Sequence, residues 1–132
     1  MQQLPSVSES DQDSARVETD VGLYYIFVEE VLQRGAVAAA DRFLAADFLA
    51  HGVAGDLDRC AFIAHLAARR ARFPDAAWTI EALAGVGGLV VCYMTMTTPE
   101  SPDRGWESLV IRFENDKIVE YWSISDRVLL QS

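Results

Sequence analysis

Residues 77–98 read AWTIEALAGVGGLVVCYMTMTT, and here the hydrophobic period falls to two. Trp78, Ile80, Ala82 and Ala84 share one parity, and Gly85, Gly87 and Gly88 make a turn. Val90, Cys92, Met94 and Met96 then share one face, with Leu89, Val91, Tyr93, Thr95 and Thr97 on the other. Alternation on both sides of a glycine turn is the pattern of a β-hairpin. Downstream, residues 99–105 hold two prolines and several charges and read as a connection. Residues 106–114 read as a strand, and Asn115-Asp116 as a tight turn into a last strand at 117–125. Residues 126–130 fit either a short capped helical turn or another extended piece.

Upstream of residue 77 the period is helical. Val21, Tyr24/Tyr25, Val28 and Val31/Leu32 recur at three and four residues, and Gly35 stands where a C-cap glycine belongs. Val37, Ala40, Phe43 and Leu44 make a shorter second stripe, after which residues 48–51 look extended. Gly52 and Gly55 break the chain, and Asp56 or Asp58 can cap a third helix lined by Phe62, Ile63, Leu66, Ala67, Arg70 and Phe73, which ends at Pro74. Three N-terminal helices followed by an antiparallel meander make an α+β fold.

The 132 residues are 51% hydrophobic, which suits one domain with a core of its own. Twenty acids against 11 bases give a charge of −9, which argues against a phosphate-backbone partner or an anionic membrane surface. No apolar run approaches the roughly 20 residues that span a bilayer. Residues 1–16, rich in Gln, Ser and Asp around Pro5, read as a disordered acidic tail with no secretory character, and 17–132 as a single domain. Cys60 and Cys92 are too isolated to form a metal site and read as buried, reduced thiols in a cytoplasmic protein with no metal.

Several stretches carry a resemblance: Tyr24-Tyr25-Ile26-Phe27 running into Glu29-Glu30-Val31-Leu32-Gln33-Arg34-Gly35; Asp47-Phe48 leading to His51; Phe73-Pro74-Asp75; and Phe113 through Lys117-Ile118-Val119-Glu120-Tyr121-Trp122 to Asp126 and Leu129. In order and spacing these resemble the SnoaL-like polyketide cyclases, of the superfamily of nuclear transport factor two and ketosteroid isomerase. The resemblance implies a cone of curved antiparallel sheet wrapped by three helices, an internal pocket, no cofactor, and homodimers formed through the sheet. It also implies intramolecular aldol closure of a polyketide, in which an acid/base group takes a proton from a carbon beside a carbonyl. Carried over residue by residue, the family's catalytic aspartate falls at Ser123, its helper histidine at Leu109, and a polar asparagine at Ala50, next to His51.

If Leu109 and Ser123 face the pocket, alternation also turns Glu107, Ile111 and Phe113 inward on one strand, and Val119, Tyr121 and Ser125 on the other. Glu107 and Tyr121 are then the inward ionisable groups, able to act as proton acceptor and as donor to an oxygen gaining charge. His51, before the glycine-rich turn, resembles a family histidine and suits a proton shuttle. Asp126 matches a family aspartate and also suits an N-cap. His65, at the edge of the third helical stripe, reads as a surface or flank residue. The candidate substrate contacts are Ser123, Leu109, Met94, Met96, Phe62, Tyr25 and Trp122; Trp122, opposite in parity to Tyr121, equally suits packing against a partner subunit.

Two function classes stay open. One is a cofactor-independent cyclase or isomerase, or a related lyase or epoxide-opening enzyme, acting on a small apolar oxygenated molecule with Glu107, Tyr121 or His51 replacing the aspartate. The other is a non-catalytic ligand-binding or accessory protein of the same fold.

Overall fold

The computed structural model describes residues 7–52 and 55–126, with side chains from residue 14 onward except at 101–103. Helix α1 (Val7–Phe27) passes directly into a π-helical stretch, Val28–Gln33. It therefore takes in residues 7–16, which the sequence suggested were a disordered tail. Residues 1–6 are outside the described residues. Gly35 ends the helical run at φ +73°. A Cβ there would also lie 2.6 Å from Arg70 Nε, and Arg70 Nη1 donates to the carbonyls of Leu32 and Gln33 at the helix end.

A short 3₁₀ helix (Val37–Arg42) stands where the second helical stripe ran. Strands β1 (Leu44–Gly52) and β2 (Gly55–Asp58) follow, then α2 (Arg59–Arg72), β3 (Ala77–Val86), β4 (Leu89–Thr98), β5 (Ser101–Glu114) and β6 (Lys117–Ser125). Asp58 caps α2, its Oδ1 accepting from the Ala61 amide at 2.9 Å. The helices are thus not all N-terminal, because Phe48 and Ala50 alternate inward on a strand before α2 begins. The fold is α+β, with three helical segments on a curved, unclosed sheet of order β2-β1-β6-β5-β4-β3. Nor is the sheet wholly antiparallel, since β1 inserts beside β6 in parallel. The expected connection at 99–105 shrinks to Pro99-Glu100, because Thr98 pairs with Ser101 across an irregular register that tolerates Pro102.

Helix α1 packs on β3 and β4, and α2 on β1 and β2. The buried face of the sheet carries Val90, Cys92, Met94 and Met96 from β4, and Glu107, Leu109, Ile111 and Phe113 from β5, as the alternation predicts. Two bulges shift that alternation. Arg112 pairs with Glu120 but Phe113 with Ile118, so Val119 is the extra residue and Ile118, not Val119, points inward beside Tyr121. In β3, Ile80 pairs with Met94 and Ala82 with Tyr93, so Glu81 is extra and Leu83 replaces Ala82 and Ala84 against the core. Asn115 and Asp116 adopt the left-handed conformations of a tight hairpin, at φ 51° and 63°.

Gly85 lets α1 approach the sheet, since a Cβ there would meet Val21 at 2.9 Å and Val17 at 3.0 Å. Overpacking of this kind costs about 1–3 kcal/mol. Gly85→Ala is expected to lower the unfolding free energy by that amount in a denaturant titration; an unchanged midpoint would show that α1 can move off β3 freely.

Candidate active site

Glu107 enters the interior because strand alternation leaves it no other face, and it is only 3% exposed. A carboxylate there requires a counter-charge. Arg69 on α2 supplies it, with Nη1 3.4 Å from Glu107 Oε2. Sequence reasoning ran the inner stripe of α2 through Arg70. The steps of four, three and four from Phe62 through Leu66 and Arg69 to Phe73 bury Arg69 instead. Its guanidinium lies over the Trp78 ring, 4.9 Å from the centroid. Ser125 Oγ donates to the same Glu107 oxygen at 3.3 Å. Among the described residues, Glu107 Oε1 is buried without a hydrogen-bond partner.

Tyr121 lies in the same interior, its ring 4.9 Å from Phe62 and 6.4 Å from Phe48. Burial first, and the charge of Glu107 second, push its phenol well above the ordinary range, so Tyr121 remains a proton donor. Tyr24 is held protonated in the same way, by burial and then by Tyr121. Burial, reinforced by Glu107, pushes the Cys92 thiol up to about 12, which keeps it inert. Cys60, by contrast, is exposed near the start of α2 and is not the buried thiol expected. His65 is half-buried at the flank of the α2 stripe, one turn before Arg69. Burial and then Arg69 lower its pKa, with Glu107 acting the other way, so the imidazole tends to be neutral.

The interior thus brings together Glu107, Tyr121, Phe62, Leu109, Met94 and Met96 from the sequence-derived set. It does not include Tyr25, which is exposed; Tyr24, one residue earlier, falls on the three-and-four spacing with Phe27, Val28 and Val31 and takes that place. Ser123 is half-buried in β6, and Asp126 follows β6 with its amide donating to the Trp106 carbonyl. Pairing of Asp126 with a terminal helical turn would fall on 127–132, outside the described residues. His51 lies on the other face of the sheet, its ring stacked on Trp122 at 5.5 Å. Its Nδ1 meets Asp56 at 2.9 Å and its Nε2 meets Glu120 at 2.7 Å, and Arg112 joins Glu120 at 3.1 Å. Both ring nitrogens can donate only as imidazolium. His51 and Trp122 are therefore separated by the sheet from Glu107. Among the described residues no three His, Cys, Asp or Glu side chains converge to hold a metal, and no helix is long and apolar enough to cross a membrane.

Residues 23–131 match the family model of the SnoaL-like polyketide cyclases. The chain belongs to that family. The fold agrees with those of solved relatives. A candidate polyketide cyclase from Acidithiobacillus ferrooxidans superposes with a TM-score of 0.72 at 22% identity, over 86% of this chain and 92% of that one. A candidate SnoaL-like cyclase from Jannaschia gives 0.76 at 12%, over 99% and 95%. A candidate ketosteroid isomerase from Kribbella flavida gives 0.70 at 13%, over 84% and 80%. No curated protein matches the sequence. At these identities the likeness fixes the fold of this SnoaL-like chain and leaves its reaction to be argued from its own residues.

The hydrogen bond to Asp56, then that to Glu120, raises the His51 pKa above its ordinary 6.5. The resulting stabilisation is complete below 6.5 and is lost as pH rises through the raised folded value. The hydrogen bond from His51 lowers the Glu120 pKa below its ordinary 4.5, so that part of the stabilisation is lost as pH falls through the lowered value. The melting temperature of wild type minus that of His51→Gln is therefore expected to be greatest between 4.5 and 6.5 and to shrink at alkaline pH. A difference that does not vary with pH would refute the pairing.

Proposed function

We propose that this protein is a cofactor-independent enzyme that takes a proton from the carbon beside a carbonyl of a small, apolar, polyketide-like molecule, leading to cyclisation or isomerisation. One observation carries the reading: Glu107 Oε1 is buried and unpartnered within an apolar interior that also holds the protonated phenol of Tyr121. A buried polar atom with no partner calls for an explanation, and a bound substrate offers one. The Glu107 carboxylate takes the proton from carbon, and the C–H electron pair moves to the carbonyl oxygen, which becomes an enolate. Tyr121 donates a hydrogen bond to that oxygen. The enolate carbon then attacks a second carbonyl of the same chain, and the new alkoxide takes the proton back from Glu107. Dehydration or epoxide opening would use the same acid and base. Ser123, at the family's aspartate position, carries no carboxylate, and Glu107 on the neighbouring strand assumes the base role. Arg69 and Met96, which belong to this interior, also line a crevice between α2 and β3.

Solvent deuterium uptake by enolisable polyketide-like ketones, read by mass spectrometry, tests the assignment. Wild type should exchange the position beside the carbonyl, Glu107→Gln should lose about 10²–10⁴-fold, and Tyr121→Phe about 10²-fold. Ketones that bind without exchanging would instead identify a ligand-binding accessory protein.

We also propose a homodimer through the outer face of the sheet. Val91, Tyr93, Trp122 and Ile124 are exposed there and line an apolar trough of about 720 Å³ across the strands. Patches of this kind mark association surfaces. Ile124→Glu should sediment as a monomer while wild type sediments as a dimer; a monomeric wild type removes the proposal.

A further inference from the structure

Arg69 has more donors than Glu107 uses. A guanidinium carries five N–H groups, and among the described residues Arg69 makes one hydrogen bond, the single 3.4 Å contact from Nη1 to Glu107 Oε2. Arginine–carboxylate pairs are frequently shorter and two-pronged, and this one is neither. Here the side chain is 7% exposed and fixed over Trp78. It lines a crevice of about 20 Å³ together with Val31, Leu66, Trp78 and Met96. That is room for roughly one water, or one oxygen atom of a larger group. No carboxylate lines the crevice. Arg70 also borders it, but its Nη1 is engaged by the carbonyls of Leu32 and Gln33. Arg69 therefore borders the crevice and also contacts Glu107, whose Oε1 has no partner among the described residues, and it keeps donors that those residues do not use.

We infer that Arg69 anchors an anionic oxygen of the substrate, which makes that substrate a keto acid: an otherwise apolar molecule with a carboxylate on Arg69 and its enolisable carbon a few bonds away, at Glu107. This deepens the proton-transfer reading and rests on it. The guanidinium fork suits a carboxylate and cannot be matched by an ester, which offers no charge. Anchoring also fixes which carbon faces the base, since the carboxylate and the reacting carbon are held at one distance.

The test compares 4-phenyl-4-oxobutanoate with its methyl ester on the full chain. Binding is measured by calorimetry to Glu107→Gln and to the double variant Arg69→Gln/Glu107→Gln, which removes both charges together and strands neither. Glu107→Gln should prefer acid over ester by about tenfold or more, and the double variant should lose the preference to within about twofold, with both retaining the wild-type circular dichroism. If the double variant does not fold, Arg69→Lys in the Glu107→Gln background gives the readout, with a preference several-fold smaller because an ammonium cannot fork. Equal binding of acid and ester by Glu107→Gln, failure of both to bind, or a preference that survives loss of Arg69 overturns the inference. Deuterium exchange by wild type reads the base separately. Acid-selective binding without exchange would keep the anchor and remove the base, whereas equal exchange of acid and ester would keep the base and remove the anchor.

Discussion

A carboxylate in the middle of an apolar interior constrains everything packed around it. Glu107 is committed inward by the alternation of β5, whose neighbours Leu109 and Ile111 must be buried for the sheet to hold its helices. Its charge then has to be met from the facing layer, and α2 meets it with Arg69. That demand fixes the rotation of α2 about its axis, because Phe62, Leu66 and Arg69 share one stripe. Trp78 on β3 stacks on the guanidinium, and Gln33 ties the helical run to β3 by accepting from the Trp78 amide and donating to its carbonyl, both at 2.7 Å. One ion pair thus links the rotation of a helix to the placement of an edge strand.

The two faces of the sheet carry opposite chemistry. The inner face is buried and holds phenols kept protonated by that burial. The outer face holds His51, Glu120, Arg112 and Asp56 in a partly exposed network next to an apolar trough. Residues one position apart on β6, Tyr121 and Trp122, belong to these different environments. The twofold period of a strand is enough to separate the buried Glu107 and Tyr121 from the exposed apolar trough.

Much of this was legible in the sequence. The change of period near residue 77 gave the α+β class, the Asn115-Asp116 turn was correct, and alternation placed Glu107 and Tyr121 inward. What alternation could not give was the slip at Glu81 and Val119, because a bulge depends on how two strands meet and has no signature in either alone. Tyr24 and Arg69 were within reach: each falls on its helix's three-and-four spacing, but an arginine on an apolar stripe is easily displaced by its neighbour Arg70, and Tyr24 by Tyr25. His51, from its place before the glycine turn, reads as a proton shuttle for the pocket, yet it lies on the outer face. Its facing partner on β6 is Trp122, and that pairing depends on a parallel contact between segments far apart in the chain.

That parallel contact governs how the chain reaches its fold. Strands β3 to β6 follow one another by short turns and can zip as successive hairpins. β1 has no sheet neighbour on that side until β6 exists, although it precedes β6 by four other strands and a helix. During synthesis β1, β2 and α2 therefore wait, with Phe48 and Phe62 uncovered, for a strand translated much later. Long-range pairing of this kind carries a loop-closure cost that slows folding and prolongs exposure of apolar surface. The nascent protein is most open to chaperones, and to mispairing with another copy, in the interval before β6 arrives.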